Sequence, residues 1–351
     1  MRILFVKLGA IGDIVHALPA LAEARRAYPD AVIDWVAERK SGEILRDNPA
    51  LNRLLEVDTH SIRKLRSPDA LMKEIRRQAD SLRGAEYDVA IDLQGLLKSA
   101  LIGKVSGAKQ RWGFDRAGSK EPAAGLMYTD RVATHGDINV IEKNLQIVRK
   151  ALGITTAATD LEFPIGIGDE HRTEATRIAA QANGDFVILN PAGGWVTKLW
   201  PAENYGRLAQ MIRTELGMSP VVVTGPKENA LAARVKEFSG DAVLAEPSLK
   251  GFYELARMST GYVGGDTGPT HLAVAAGAPV VGIFGPTEWW RNGSPRADDI
   301  AVGREDIGCR VDCHRRNCSK WICMEISVDT VFDAVVRRVE TARKRRKERA
   351  V

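Results

Sequence analysis

The chain has 351 residues, enough for two domains with full cores. Its 44% hydrophobic and 27% charged content is that of an ordinary soluble globular protein, and no apolar run reaches membrane-spanning length. Fifty Lys and Arg against 45 Asp and Glu leave a net charge of +5, a balance that suits phosphorylated ligands or an anionic membrane surface and is diagnostic of neither.

In chain order, Arg2 to Leu8 reads as a short apolar strand running into the turn Gly9-Ala10-Ile11-Gly12-Asp13, with no signal-peptide cleavage pattern, so a cytoplasmic location is expected. A helix is predicted over about 14–28, where Pro19 either kinks it or marks its true first turn. Strands are predicted at 32–36, 54–57 and 87–93, with helical stretches around 41–46 and 68–83. A further helix over 137–152 leads into the small-residue linker that begins at Gly153.

The alternation then restarts. Strand 185–190 ends in Pro191-Ala192-Gly193-Gly194, followed by helix 202–216, strand 220–224 and helices 227–238 and 249–259. The stretch GYVGGDTGPTHLAVAAGAPVVGIFGPT reads as strand, tight polar turn, helix and strand. Alternating strands and helices predict parallel, doubly wound sheets, two similar α/β halves with a ligand between them. The segment 328–349 reads as a terminal helix whose basic end is expected to be a solvated tail, although such a run can also touch anionic lipid.

Several residues carry chemistry. Turns at the carboxyl end of a parallel sheet gather polar groups and free helix N–H donors, so Asp266, Thr267, Gly268 and His271 stand where a phosphorylated or sugar ligand is held; the same residues also make a good N-cap and turn. Asp13, after the first strand, can act as a general base or serve as a first-turn acid favoured by the helix dipole. Adjacent Gly193 and Gly194 allow close backbone approach to a phosphate, which Lys198 can neutralise. Two basic clusters, Arg63, Lys64 and Arg66, then Arg111, Arg116 and Lys120, can bind a carboxylate- or phosphate-bearing acceptor or be simply solvated. Cys309, Cys313, Cys318 and Cys323 fall within fifteen residues, with spacing that lacks the paired knuckles of zinc ribbons; a structural metal and a redox-sensitive loop both stay open. Neither the dinucleotide fingerprint nor the Walker P-loop is present, which disfavours nicotinamide chemistry and P-loop ATP hydrolysis.

Taken together, the segments MRILFVKLGAIGDIVHALPAL, IDLQGLLKSALI, SKEPAAGLMY, NPAGGWVTKLWP and GGDTGPTHLAVAAGAPVVGIFGPT resemble glycosyltransferase family 9, the lipopolysaccharide heptosyltransferases, with the first-half segments most similar to the heptosyltransferase I type. The resemblance implies a GT-B fold: two Rossmann-like doubly wound domains facing across a cleft. It divides the chain into an acceptor-binding domain (1–160), a nucleotide-sugar domain (161–327) and a terminal helix with basic tail (328–351). It implies inverting, metal-independent heptose transfer from ADP-heptose to Kdo on lipid A at the cytoplasmic face of the inner membrane, with no cofactor and no nucleic-acid partner. Asp13 then matches the catalytic base and Lys198 the lysine on the donor phosphates. Asp266, Thr267, Gly268 and His271 match the donor turn, Glu228 the ribose contact, and Arg63, Lys64, Arg66 and Lys120 the acceptor side. Gly193-Gly194 stands where relatives carry two hydroxyl residues, and Lys120 where the motif has arginine, so a family 9 enzyme with another donor or acceptor remains an alternative. A nucleotide-linked oxidoreductase and a non-catalytic nucleic-acid-binding protein are rivals from other classes.

Overall fold

The computed structural model describes residues 1–58, 80, 82, 84–134, 136–156, 160–309, 313 and 315–349. The expected helix at 68–83 and the cluster Arg63, Lys64 and Arg66 therefore fall almost wholly, and in the cluster's case entirely, outside the described residues. Two compact units divide at Gly166/Ile167.

The first unit is built on a six-stranded parallel sheet. Its strands are β1 (Arg2–Val6), β2 (Val32–Glu38), β3 (Arg53–Val57), β4 (Val89–Asp92), β5 (Gln110–Phe114) and β6 (Asp130–Val132), ordered β3-β2-β1-β4-β5-β6. β1 and β4 are buried nearly throughout, which is why both read as continuous apolar runs rather than alternating ones. The expected helix over 14–28 is two helices: α1 (Ile11–Val15) and α2 (Leu18–Ala27). Pro19 lies in the first turn of α2, where its missing N–H costs nothing. α3 (Leu97–Val105) and α4 (Val140–Leu152) are its further long helices among the described residues, and a short helical turn lies at Arg39–Gly42. The side chain of Asn139 accepts the Ile141 N–H at the start of α4, and Gly153 ends it with φ +67°, a left-handed position that suits glycine.

The second unit repeats the plan. Strands β7 (Phe186–Asn190), β8 (Ser219–Val223), β9 (Val243–Ala245), β10 (Gly261–Gly265), β11 (Val280–Ile283) and β12 (Ile300–Val302) are ordered β12-β11-β10-β7-β8-β9. Counted from its own first strand, this is the same 3-2-1-4-5-6 order as in the first sheet, the Rossmann order. Its longer helices are α5 (Asp169–Ala182), α6 (Ala202–Leu216), α7 (Asn229–Ser239), α8 (Leu249–Met258), α9 (Gly268–Ala275) and α10 (Val328–Arg349). Val331, Ala334, Val335 and Val339 of α10 join the core formed by β7, β8, β10 and α6.

The tail is not simply a solvated run. Arg343 pairs with Asp185 at 2.8 Å, Arg345 with Asp298 at 2.7 Å, and Arg346 donates to the Ser259 carbonyl, so three of its arginines pin α10 to this unit.

Candidate functional site

In a doubly wound sheet, ligands bind beyond the strand carboxyl ends at the point where the strand order reverses. In the first unit that point lies between β1 and β4. The loop after β1 carries Gly9 at φ +145°, a conformation open to glycine, and a Cβ there would collide with the Ser41 hydroxyl. Two residues beyond, at Ile11, the chain enters α1, with Asp13 in its first turn.

Gln94, just past β4, ties the two strand ends together. Its Oε1 accepts the Leu8 N–H at 3.2 Å and the Gly9 N–H at 3.5 Å, while its Nε2 donates to Asp13 Oδ2 at 3.3 Å. Lys120 Nζ reaches the same oxygen at 3.3 Å. Burial alone would raise the Asp13 carboxyl, but Lys7, Lys120, His16 and the Gln94 amide outweigh it and hold it at about 2. Asp13 is ionised at neutral pH, with its side chain about 30% accessible. Lys7 is the opposite case: buried against the Leu93 carbonyl at 2.5 Å, its ammonium is lowered to about 8 by burial, despite nearby Asp13.

Beneath these groups lies Asp92, which burial pushes up. It accepts from Tyr128 Oη and Ser99 Oγ, each at 2.7 Å, and from the N–H groups of Gln94 and Gly95 at 2.8 and 3.1 Å. This network fixes the turn that presents Gln94. A cavity of about 370 Å³ opens beside it, lined among others by Gly9, Arg39, Lys40, Ser41, Gln94 and Lys98. Neither Gln94 nor Asp92 was singled out in the sequence, although both lie in the IDLQGL stretch that ends β4. Arg111, one of the expected cluster, instead donates to the Met127 and Ala108 carbonyls and is a structural tie.

In the second unit the reversal lies between β7 and β10. Gly193 follows β7, and a Cβ on it would stand 2.9 Å from Leu199, whereas Gly194 faces open space. Lys198 Nζ lies 2.5 Å from Asp266 Oδ2 and 4.3 Å from the centre of the Trp195 ring. His271 Nε2 stands 3.3 Å from Asp266 Oδ1. Burial opposes ionisation of Asp266, but His271 and Lys198 together hold its carboxyl far below the usual range. Thr267 caps α9 in extended conformation, and Gly268 begins the helix, leaving its first N–H groups at the strand ends. Glu228, after β8, turns inward and accepts the Gly225 N–H at 2.6 Å, which closes its own turn. The structure thus gathers Lys198, Asp266, Thr267, Gly268 and His271, while Glu228 sits on the adjoining strand end.

All four cysteines line one small cavity with Thr197 and Trp321. Among the described residues, no group of three or more His, Cys, Asp or Glu is arranged to hold a metal ion. The Trp321 indole donates to the Thr197 carbonyl at 2.9 Å, and Thr197 Oγ1 donates to the Arg315 carbonyl at 2.7 Å. The cysteine-bearing segment therefore braces the turn that carries Lys198.

Two Rossmann-like units with the same strand order, each gathering charged side chains at its order reversal, are the two halves of a GT-B-type fold. Residues 75–322 match the family described as glycosyltransferase family 9 (heptosyltransferase), and the chain belongs to that family. It is 31% identical to lipopolysaccharide heptosyltransferase 1 of Pseudomonas aeruginosa, over 91% of this chain and 88% of that protein. The structure of Escherichia coli heptosyltransferase WaaC with ADP is similar at TM-score 0.74 and 27% identity, covering 86% of this chain and 93% of that one. Escherichia coli ADP-heptose lipopolysaccharide heptosyltransferase II shares the fold at TM-score 0.76 and 17% identity, over 97% and 99% of the two chains.

Proposed function

We propose that this enzyme transfers L-glycero-D-manno-heptose from ADP-heptose to the Kdo of a lipid A precursor, with inversion and without a metal. The observation that carries the reading is the pairing of an ionised, partly accessible Asp13 with Lys120 at the reversal point of the first sheet. The relatives named above supply the donor and the sugar: one is a lipopolysaccharide heptosyltransferase, and another is solved with ADP.

Asp13 removes the proton from the attacking Kdo hydroxyl as that oxygen bonds to the heptose anomeric carbon and the bond to the ADP oxygen breaks. Negative charge then grows on the departing diphosphate, which Lys198 and the free N–H groups at the start of α9 neutralise. With Lys120 on it, Asp13 is a weak base. An anionic acceptor that draws Lys120 onto its own carboxylate also raises the basicity of Asp13, so acceptor binding and base activation are coupled. On the family resemblance, Arg63, Lys64 and Arg66 are assigned to the acceptor, and Glu228 with Gly193 and Gly194 to the donor. The protein acts as a peripheral enzyme at the cytoplasmic face of the inner membrane; no helix among the described residues is long and apolar enough to cross a membrane.

The test is product formation from ADP-heptose and deacylated Kdo-lipid A in the presence of EDTA. Asp13→Ala, folded as judged by circular dichroism, is expected to lower kcat by about 10²- to 10⁴-fold. Turnover that survives the substitution removes Asp13 from its role. Nucleotide binding without turnover assigns another sugar or acceptor.

A further inference from the structure

The first unit carries an exposed apolar face beside Asp13 that its own packing does not use. Leu97 and Leu101, one helical turn apart on α3, are 42% and 48% exposed, and Leu126, in the 3-10 turn Pro122–Met127, is 84% exposed. That turn packs on α3 through buried Ala100 and Ala124. Its outward residues Pro122, Ala123 and Leu126 are all apolar, and the segment PAAGLM contains no charge. A soluble protein tolerates scattered exposed leucines, but three on two packed elements form a patch, and patches mark interaction surfaces.

The surroundings say what fits it. Lys104 continues the Leu97-Leu101 row one turn on and is exposed, and Lys120 is exposed on the loop that enters the 3-10 turn. The acid beside them, Glu121, bends back to accept the Leu97 N–H at 2.6 Å, so part of its charge is spent on the start of α3. Apolar side chains flanked by lysines whose stems can reach along them while their ammonium groups stay in water make an interfacial surface. Lysine near such a surface adds attraction to anionic headgroups. The position also fits: Leu97 follows the Gln94-Gly95 turn, and Lys120, whose Nζ touches Asp13, precedes the 3-10 segment.

We propose that the face formed by Leu97, Leu101 and Leu126, with Lys104 at its edge, docks on an anionic lipid bilayer and holds the Asp13 site at the surface from which the lipid-borne acceptor is taken. This rests on the reading that the acceptor is carried on a lipid. Docking supplies affinity for the membrane and not for the sugar, so its loss raises the apparent KM for a bilayer-embedded acceptor and leaves a water-soluble acceptor untouched.

The experiment compares wild type with a combined L97S/L101S/L126S variant, at positions assigned to neither the base, the acceptor nor the donor. Flotation with phosphatidylcholine vesicles, with and without phosphatidylglycerol, is expected to show binding by wild type that phosphatidylglycerol strengthens, and at least about tenfold weaker binding by the variant. Turnover of acylated Kdo-lipid A in the same vesicles falls in parallel, while turnover of the deacylated acceptor stays within about twofold. Lys104→Ala is expected to weaken only the phosphatidylglycerol-dependent part. A single Leu126→Trp reporter in the otherwise native chain adds an indole whose emission, taken as the difference from wild type, shifts to the blue on vesicles and is quenched by brominated lipid. Equal vesicle binding by wild type and triple variant overturns the proposal, as does a reporter emission that vesicles leave unshifted. An equal loss of activity on both acceptors overturns it too. If the triple variant instead breaks a dimer of the free protein while its vesicle binding is unchanged, the face belongs to a second copy and the proposal fails. Turnover of the deacylated acceptor tests the proposed reaction separately, so failure of docking and failure of the reaction are distinguishable.

Discussion

Two lysines set the state of Asp13 from different depths. Lys120 approaches from the accessible side and Lys7 from beneath, where burial has already lowered its own ammonium to about 8. Replacing Lys7 by Met removes the deeper charge, so the Asp13 pKa rises and the acid limb of the pH–rate profile moves to higher pH; an unmoved limb removes Lys7 from the groups that set it. The same change tests stability. The folded protein releases the Lys7 proton near pH 8, and the unfolded chain near 10.5. Between those values the unfolded state binds more protons, so this residue makes stability rise with pH across that window. The cost, about 3 kcal/mol, is fully present below pH 8 and disappears in Lys7→Met. Urea midpoints at pH 8 and 10 for both proteins measure it. Among the cysteines, the N–H groups of Trp321 and Lys320 lower Cys318, whereas burial, with the other three thiols, raises Cys323. Mass spectrometry after brief iodoacetamide treatment at mildly alkaline pH is expected to find Cys318 alkylated well before Cys323.

The terminal helix α10 shows how an element with a basic end is held. Its apolar residues enter the core of the second unit, and Arg338 buries its guanidinium on Asp299 at 2.8 Å. Arg296 occupies the other Asp299 oxygen at 2.9 Å, and the Val280 N–H at the start of β11 donates to the first. One fully buried carboxylate therefore joins α10, the loop before β12 and the start of β11. Arg338→Ala leaves half of that charge uncompensated and is expected to destabilise the second unit by about 3 kcal/mol, read as a lowered thermal midpoint. Arg338→Met, which keeps the stem packing, separates the lost charge from the lost contacts. Elements of this kind also explain what escaped the sequence. β6, β9 and β12 are three residues each, and β5 mixes charge and aromatics, so none offers a run long enough for periodicity to register. Longer elements with caps, such as α4 between Asn139 and Gly153, were legible because local chemistry alone starts and stops them.

At the scale of the molecule, each unit has its own sheet and core, so heat is expected to unfold them in separable steps rather than one. If ADP binds through Lys198 and the start of α9, as the proposed function has it, it is expected to raise the transition of the second unit alone, by about 2.7 kcal/mol at a hundredfold excess over Kd. Differential scanning calorimetry with and without ADP checks this, and Lys198→Met should remove most of the shift. A rise in both transitions would mean that ADP also engages the first unit.

The sequence by itself determined the class of fold and the site candidates near glycine turns, because strand-turn-helix units are written in local patterns of apolar residues, glycines and caps. Asp13, Lys198, Asp266 and His271 could be named because each follows a strand end. Only the tertiary structure decided their company. That Gln94 and Lys120 meet Asp13, that Asp92 and Tyr128 hold the turn beneath, and that Lys198 is locked on Asp266 depend on parallel pairing between strands up to 86 residues apart. Pairing at such separation leaves no periodic trace in the chain, and the charge state of a carboxylate is the sum of neighbours that only the folded sheet brings together.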